Sequence, residues 1–322
     1  MSLLEVKKQI TSTQNTKKIT KAMQLVAASK MKSFQRKSRN VRDFTGGVLQ
    51  QMRQTGGSLS ETHFAEERAE GKMLFILVTS DKGLCGAMNA RLIRKLFQES
   101  KSWQASDAGS RLLMTIGRKS TEAARREGVK VHKSFENLPE DMDPLKSLEI
   151  IDAIMSLWME GEIREVKLIS PRYVNPFVFH AQSRTYLPLS ESQIDRLLSL
   201  EEGAGEGRSE IKDQSEWSPS EEKKEIIEAA FMEPSRESVV ETLSERMIQS
   251  LFIEAFFELK ATEYSSRMVA MKKATEAAED RIKELTRAYN KARQAAITSQ
   301  LSELAAANEA MSGTSKHELN LA

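Results

Sequence analysis

The sequence predicts a mixed α and β protein, with a long helix at each end of the chain and an α/β domain between them. Three observations lead to this fold class. Between Pro234 and Gly313 there is neither proline nor glycine, and residues 1–45 also lack both. All seven prolines lie between Pro139 and Pro234. Because proline and glycine interrupt helices, the two ends favour long helices and the middle favours a more varied structure.

The first helix is indicated by apolar residues that recur at helical spacing. They are Val6, Ile10, Ile19, Met23, Val26, Phe34, Val41, Phe44 and Val48. Glycine pairs at 46–47 and 56–57 loosen the end of this pattern, so we assign residues 1–57 to the N-terminal helix and 58–71 to a loop.

Short apolar runs alternate with helical patterns in the middle of the chain, which predicts a Rossmann-like α/β domain over residues 72–189. The expected strands are 73–79, 112–116, 129–135, 165–170 and 177–187, and the expected helices are 89–101, 118–127 and 145–160. Residues 190–230 follow as an acidic insertion or linker that we expect to be mobile. Within it, residues 199–228 hold ten acids against four bases.

The C-terminal helix is assigned to residues 231–310, and a disordered tail to 311–322. Within this helix, residues spaced alternately three and four apart form the seam of a predicted coiled coil. They are Met268, Met271, Thr275, Ala278, Ile282, Leu285, Tyr289, Ala292 and Ala296. The apolar set then shifts by one place to Ile297, Leu301 and Leu304, which favours a tip without a helical partner. A single helix of this length, about 115 Å, would project from its domain. The alternative is a helix broken into a bundle.

The sequence offers little catalytic chemistry. No phosphate-binding glycine motif follows the first strand, and Gly83–Gly86 favours a tight strand-to-helix turn over a nucleotide site. The four histidines are scattered and Cys85 is the only cysteine, so we expect no metal ion, no cofactor and no disulfide. No apolar run approaches the length that spans a membrane.

Residues 1–42 carry eleven lysines and arginines against one acid, Glu5, for a net charge of +10. Such a helix could bind nucleic acid, an anionic membrane or an acidic protein partner. The bases surround the helix and do not form one face. We keep a coiled-coil scaffold or a nucleic-acid-binding protein as an alternative function for this chain. An enzyme that uses the α/β domain is a more distant third.

Four stretches, in three blocks, resemble the γ subunit of F-type ATP synthases. They are KKITKAMQLVAASKMKSFQRK (17–37), VTSDKGLCGAMN (78–89), RMVAMKKAT (267–275) and YNKARQAAIT (289–298). The blocks stand in the order that the family has. The resemblance covers about 1–189 and 230–307.

This resemblance implies a central rotor shaft. In the family, both chain ends form an antiparallel coiled coil, with a Rossmann-like domain at its base. The upper coil lies inside the hexamer of α and β subunits, and the lower coil and domain bind the ε subunit and the membrane c-ring. The shaft transmits torque and couples ion flow to ATP synthesis. The catalytic sites are mainly in β, so the resemblance implies a non-catalytic subunit, peripheral on the cytoplasmic face of the bacterial inner membrane, without nucleic acid or membrane insertion.

The resemblance also implies partner-contact residues, mainly for the β subunit. Met23, with Lys18, Lys21 and Lys30, corresponds to positions that face the acidic lever loop of β, and Arg267 lies near that region on the other helix. The upper contacts correspond to Arg293, Gln294 and Thr298.

Departures from the family pattern bear on this assignment. Gln300 stands where a glutamate is usual, which puts one upper contact in doubt, and Lys7 and Gln9 stand where arginines are common. Residues 199–228 correspond to a regulatory insertion of chloroplast homologues but contain no cysteine, which excludes thiol switching. We hypothesise that the insertion biases rotation or blocks ATP hydrolysis sterically.

Overall fold

The computed structural model describes residues 3–99, 109–142, 144–199 and 235–318. Its helices are α1 (Leu3–Gln54), α2 (Met88–Glu99), α3 (Arg118–Arg126), α4 (Pro144–Met159), α5 (Glu191–Ser199) and α6 (Arg236–Glu318), with a short 3-10 helix at Leu59–Glu61. Its strands are β1 (Lys72–Val78), β2 (Arg111–Ile116), β3 (Lys133–Phe135), β4 (Ile163–Asn175) and β5 (Val178–Leu187). The predicted fold class is confirmed, and α6 is one continuous helix of 83 residues.

The chain divides into two compact units, Met1–Val26 with Met268–Ala322, and Ala27–Arg267. In the first unit α1 and α6 pair antiparallel. The hydroxyls of Thr20 and Thr275 are 2.8 Å apart, and Lys17, one turn earlier on α1, forms an ion pair with Glu279, one turn later on α6. The seam predicted for α6 is buried or half-buried from Met268 to Ala292, which confirms it over that length.

On α1 the packed positions also alternate steps of four and three. Through the first unit and into the second they are Val6, Ile10, Thr13, Lys17, Thr20, Gln24, Ala27, Met31, Phe34, Ser38, Val41, Thr45, Val48 and Met52. Half of these are large apolar residues, including the predicted Val6, Ile10, Phe34, Val41 and Val48, but the others are mainly small or polar, so large apolar residues alone do not mark the seam. As a result Ile19, Val26 and Phe44, which we placed on the apolar stripe, are exposed.

The second unit contains a five-stranded sheet in the order β3-β2-β1-β4-β5. β1 to β4 pair in parallel, and β5 pairs antiparallel with β4. The parallel part has the strand order of half a doubly wound nucleotide-binding fold. β1 lies between β2 and β4 and is fully buried over its last five residues, as is typical of a central strand in a parallel sheet with covered faces.

Two strands differ in length from the prediction. β3 is limited to three residues, and the preceding segment from Val129 is not strand. β4 continues past the predicted end through Pro171, which lies opposite Ala181 on β5. Pairing of β1 with β4 ends at Ile169, so Pro171 has no need of an N–H donor on that side.

A close backbone crossing fixes the turn between β2 and α3. Gly117 has a φ of 91°, and a Cβ there would lie 2.2 Å from the carbonyl oxygen of Thr79 at the end of β1. The Thr79 hydroxyl accepts a hydrogen bond of 2.8 Å from the backbone N–H of Ser120. This position therefore requires glycine.

Two boundary predictions need correction. Glu191–Ser199 is a helix, although we assigned 190–230 to a mobile linker; residues 200–234, including most of the acidic insertion, lie outside the described residues. Helix α6 also continues to Glu318, where we expected a disordered tail from 311. One glycine, Gly313, costs a helix only about 1 kcal/mol and does not end it. Residues 319–322 lie outside the described part.

Candidate functional site

The outer surface of the paired helices in the first unit is the main candidate for partner contact. Lys18 and Lys21 are exposed on α1, and Met23 is half-buried. The Lys21 ammonium donates a weak hydrogen bond of 3.4 Å to the Gln24 side chain. Nearby, Ile19 is 60% exposed, and Leu25 and Val26 are exposed as well. This surface therefore combines apolar and basic side chains.

A second candidate surface lies near the end of α6. Arg293, Gln294 and Thr298 are exposed, and the Thr298 hydroxyl donates to the Gln294 carbonyl oxygen at 3.0 Å. Along the same turns Ile297 is 48%, Leu301 61% and Leu304 68% exposed. An exposed apolar stripe of this kind is a candidate for contact with another macromolecule.

The structure explains why this segment is exposed. Thr20 pairs with Thr275, so in an antiparallel register the start of α1 at Leu3 is level with about residue 292 of α6. Among the described side chains, every residue from Arg293 to Asn308 is exposed. The predicted tip without a helical partner is therefore observed. About twenty residues, or ~30 Å of helix, separate it from the region of Met23.

Two predicted contact residues lie in the second unit and are engaged in the fold. Lys30 forms an ion pair with Glu140, and its ammonium lies 5.4 Å from the centre of the Tyr264 ring. The Tyr264 hydroxyl donates to the same carboxylate. Burial alone would raise the pKa of Glu140, but hydrogen bonds from Lys30 and Tyr264 lower it below the ordinary value.

Arg267 is buried beside the same ring. Its guanidinium lies 5.1 Å from the Tyr264 ring centre, 2.7 Å from the Glu263 carboxylate, and donates to the Gly83 carbonyl oxygen at 3.1 Å. The structure thus brings Lys30 and Arg267 together around Tyr264. Both are held by internal partners, and their contact with another subunit remains a prediction.

The turn after β1 holds a polar cluster that sequence reasoning missed. The Asp81 carboxylate accepts backbone N–H groups of Arg118 at 2.9 Å and Asn137 at 3.0 Å. The Asn89 side-chain amide donates to the Ser80 hydroxyl at 2.8 Å. Polar residues directly after a buried strand were the available signal. All of these hydrogen bonds are made to other groups of this chain, so the cluster holds the turn after β1 against the neighbouring turns.

The same turn contains the thiol of Cys85. Cys85 is buried, and burial raises the pKa of its thiol, which disfavours the reactive thiolate. Within the described residues, no group of histidine, cysteine or acidic side chains could hold a metal ion. No described helix is long and apolar enough to cross a bilayer.

Comparison with known proteins identifies the family. A family model described as ATP synthase matches residues 2–311. The ATP synthase gamma chain of Stenotrophomonas maltophilia is 34% identical over 311 residues, covering 93% of this chain and 96% of the relative. The chain belongs to the ATP synthase γ-chain family. A γ chain from Symbiobacterium thermophilum is 31% identical, covering 96% of this chain and 98% of the relative.

Solved structures show the same fold at lower identity. A chain of the central stalk and c-ring structure of the Tetrahymena thermophila mitochondrial ATP synthase aligns with a TM-score of 0.51 at 22% identity, covering 80% of this chain and 99% of that one. A chain from an ATP synthase structure of Euglena gracilis aligns at 0.52 and 18% identity, covering 90% and 95%. The γ-chain fold therefore extends over most of this sequence.

Proposed function

We propose that this chain is the central rotor shaft of an F-type ATP synthase, which transmits torque between a membrane c-ring and a catalytic hexamer of α and β subunits. The observation that carries the proposal is the antiparallel pairing of α1 and α6 in a γ-chain family member. A continuous heptad seam resists slippage between two helices, as torque transmission requires. The chain then contributes no catalytic group, and ATP chemistry belongs to its partners.

The partners follow from the same proposal. The exposed apolar and basic surface around Met23 and the exposed end of α6 would contact the α/β hexamer. The lower part of the helix pair and the α/β domain would bind the ε subunit and the c-ring. The chain would then be peripheral, on the cytoplasmic face of a bacterial inner membrane.

Internal ion pairs weigh against the alternative of nucleic-acid binding by the basic helix. Lys17, Lys30, Lys37 and Arg42 each pair with an acid of this chain. These bases are less available to neutralise phosphates than the sequence suggests, and we therefore carry only the rotor function forward.

Reconstitution tests the proposal. Mixed with α and β subunits of a related synthase, the chain should co-purify stoichiometrically and support ATP-driven rotation of a bead fixed to its α/β domain. Absence of rotation in a complex that hydrolyses ATP would contradict the proposal. So would salt-sensitive DNA binding by the chain with no assembly.

The contact residues can be tested in that complex. Gln294→Ala removes one hydrogen-bonding group from the exposed end of α6 and should slow ATP-driven rotation by about three- to tenfold. Gln98→Ala, which removes an exposed amide from α2, outside the surfaces proposed to contact the hexamer, is the matched control and should rotate at the wild-type rate. Equal rates in all three proteins would remove Gln294 from the contact surface.

A further inference from the structure

A buried cluster of four charged side chains joins three elements of the second unit. Arg42 of α1 donates to Glu254 of α6 at 2.6 Å. Arg184 of β5 lies 3.6 Å from Glu254 and 3.9 Å from Glu258, one turn further along α6. The Glu254 side chain is fully buried, and the arginines are mostly buried. We call Arg42, Arg184, Glu254 and Glu258 the ion cluster.

The fourth element at this level is β4. The backbone N–H of Tyr173 donates to the Glu258 carboxylate at 3.1 Å. Two further hydrogen bonds flank the cluster: Thr45 of α1 donates to Ser250 of α6 at 2.9 Å, and the Tyr186 hydroxyl of β5 donates to the Ile248 carbonyl of α6 at 2.6 Å. Directional bonds therefore tie α6 to α1, β4 and β5 within three turns.

Stability alone does not account for the ion cluster. Each of the two carboxyl and two guanidinium groups loses most of its hydration, and apolar side chains of similar volume often stabilise such a site equally well or better. What a hydrogen-bonded buried ion can add is a defined geometry, and the contacts of Arg42 with Glu254 and of the Tyr173 N–H with Glu258 are of this kind. A small displacement there leaves a charge without its partner. Apolar contacts tolerate small rotations of one element over another.

We propose that the ion cluster fixes the angular position of the sheet against α1 and α6, so that twist applied to the α/β domain passes to the two helices. The inference rests on the proposed rotor function. The four residues of the ion cluster are positioning residues with no part in ATP chemistry. This position along α6 is suited to transferring twist, because α1, β4 and β5 are all bonded to α6 there.

The decisive variant separates geometry from stability. Arg42→Met, Arg184→Met, Glu254→Met and Glu258→Met together replace the charges by apolar side chains of comparable length. We expect the melting temperature of the chain to be equal or higher. In the assembled complex, with the catalytic hexamer fixed and paused, the angular variance of a bead on the α/β domain should rise by about twofold or more. Control complexes carry Arg118→Met with Glu122→Met, which removes an exposed ion pair of α3.

The outcomes are distinct. Unchanged variance in a folded quadruple variant overturns the proposal, and so does a rise in variance that the α3 control reproduces. If the quadruple variant does not fold, Glu254→Gln, which keeps an acceptor for Arg42 without the charge, takes its place: a raised variance supports the proposal, and a lowered melting temperature with unchanged variance overturns it. A wild-type complex that never rotates refutes the rotor function itself, which is a separate result.

Discussion

In the first unit α1 and α6 meet through aliphatic side chains interspersed with small and hydroxyl-bearing ones, whereas in the second the same two helices also meet through aromatic rings and ions. The first seam contains Thr20, Thr275 and Ala278. In the second, the rings of Phe34 and Tyr264 stack with centroids 5.6 Å apart, and Arg42 pairs with Glu254.

The difference follows from what surrounds each helix pair. In the first unit a helix residue is buried only if it faces the other helix, so a narrow stripe supplies the packing and the outer faces remain exposed. In the second unit α6 is buried almost without interruption from Glu254 to Ser265, because the sheet covers it as well. The helix pair has the same heptad spacing in both units. Its outer faces are exposed in the first unit and are covered by the sheet in the second.

The largest effect that would sharpen this comparison comes from the aromatic core. Phe34→Ala should reduce the free energy of unfolding by about 3–5 kcal/mol, because it removes a buried ring that contacts Phe257 and Tyr264. Phe44→Ala is the matched control: the same residue type on the same helix, but 56% exposed. Urea denaturation followed by circular dichroism measures both. Similar losses for the two variants would show that burial does not distinguish these positions.

An intermediate effect concerns pH. Burial and the nearby Glu254 raise the pKa of Glu258 to about 7, although Arg184, Arg42 and the Tyr173 N–H oppose the shift. The folded chain therefore holds this proton more tightly than the unfolded chain, whose glutamate has a pKa near 4.5. The resulting stabilisation is complete below pH 4.5 and is lost as the pH rises through 7.

The Glu258→Gln variant has no carboxyl group to ionise at this position, so it should not show the loss of stability that accompanies ionisation of Glu258. Between pH 5 and 7.5 the wild type should lose about 1–3 kcal/mol of stability more than this variant does. Denaturation at a series of pH values gives the difference, with the exposed Glu276→Gln as a control that keeps the wild-type dependence. Parallel curves for wild type and Glu258→Gln would contradict the assignment.

The smallest effect tests the seam of the first unit. Thr20→Val breaks the hydrogen bond to Thr275 and should cost about 0.5–1.5 kcal/mol. Adding Thr275→Val should cost less than the second single substitution alone, because both hydroxyls are then gone. A double-mutant cycle by urea denaturation measures the coupling. Additive values would mean that the two hydroxyls do not interact, and Thr11→Val with Thr275→Val provides an uncoupled reference pair.

Sequence reasoning succeeded where local pattern decides structure. Large apolar residues such as Met271 and Leu285 mark the α6 seam directly, and the run around Ile76 marks a strand buried on both faces. It was only partly right on the α1 seam. Val6, Phe34 and Val48 are buried as predicted, but Thr20, Ala27 and Thr45 also pack inward while Ile19 and Phe44 face outward. An exposed surface that binds partners can be as apolar as a buried one, so hydrophobicity alone could not assign the faces.

The ion cluster lay beyond sequence reasoning for another reason. Arg42 and Glu254 are 212 residues apart, and each separately looks like an ordinary charged position on a helix. Only the antiparallel register brings them together. The predicted contacts of Lys18, Lys21, Met23, Arg293, Gln294 and Thr298 remain predictions, since exposure makes contact possible without identifying the partner.

The exposed leucines at the end of α6 have a consequence for the cell. A helix that leaves Leu301 and Leu304 largely in water gains little apolar burial from its own chain over those turns. Its order there depends on the concentration of whatever covers it. In the proposed rotor, a copy made in excess of its partners would therefore open first at this end and would be cleaved there more readily than an assembled copy.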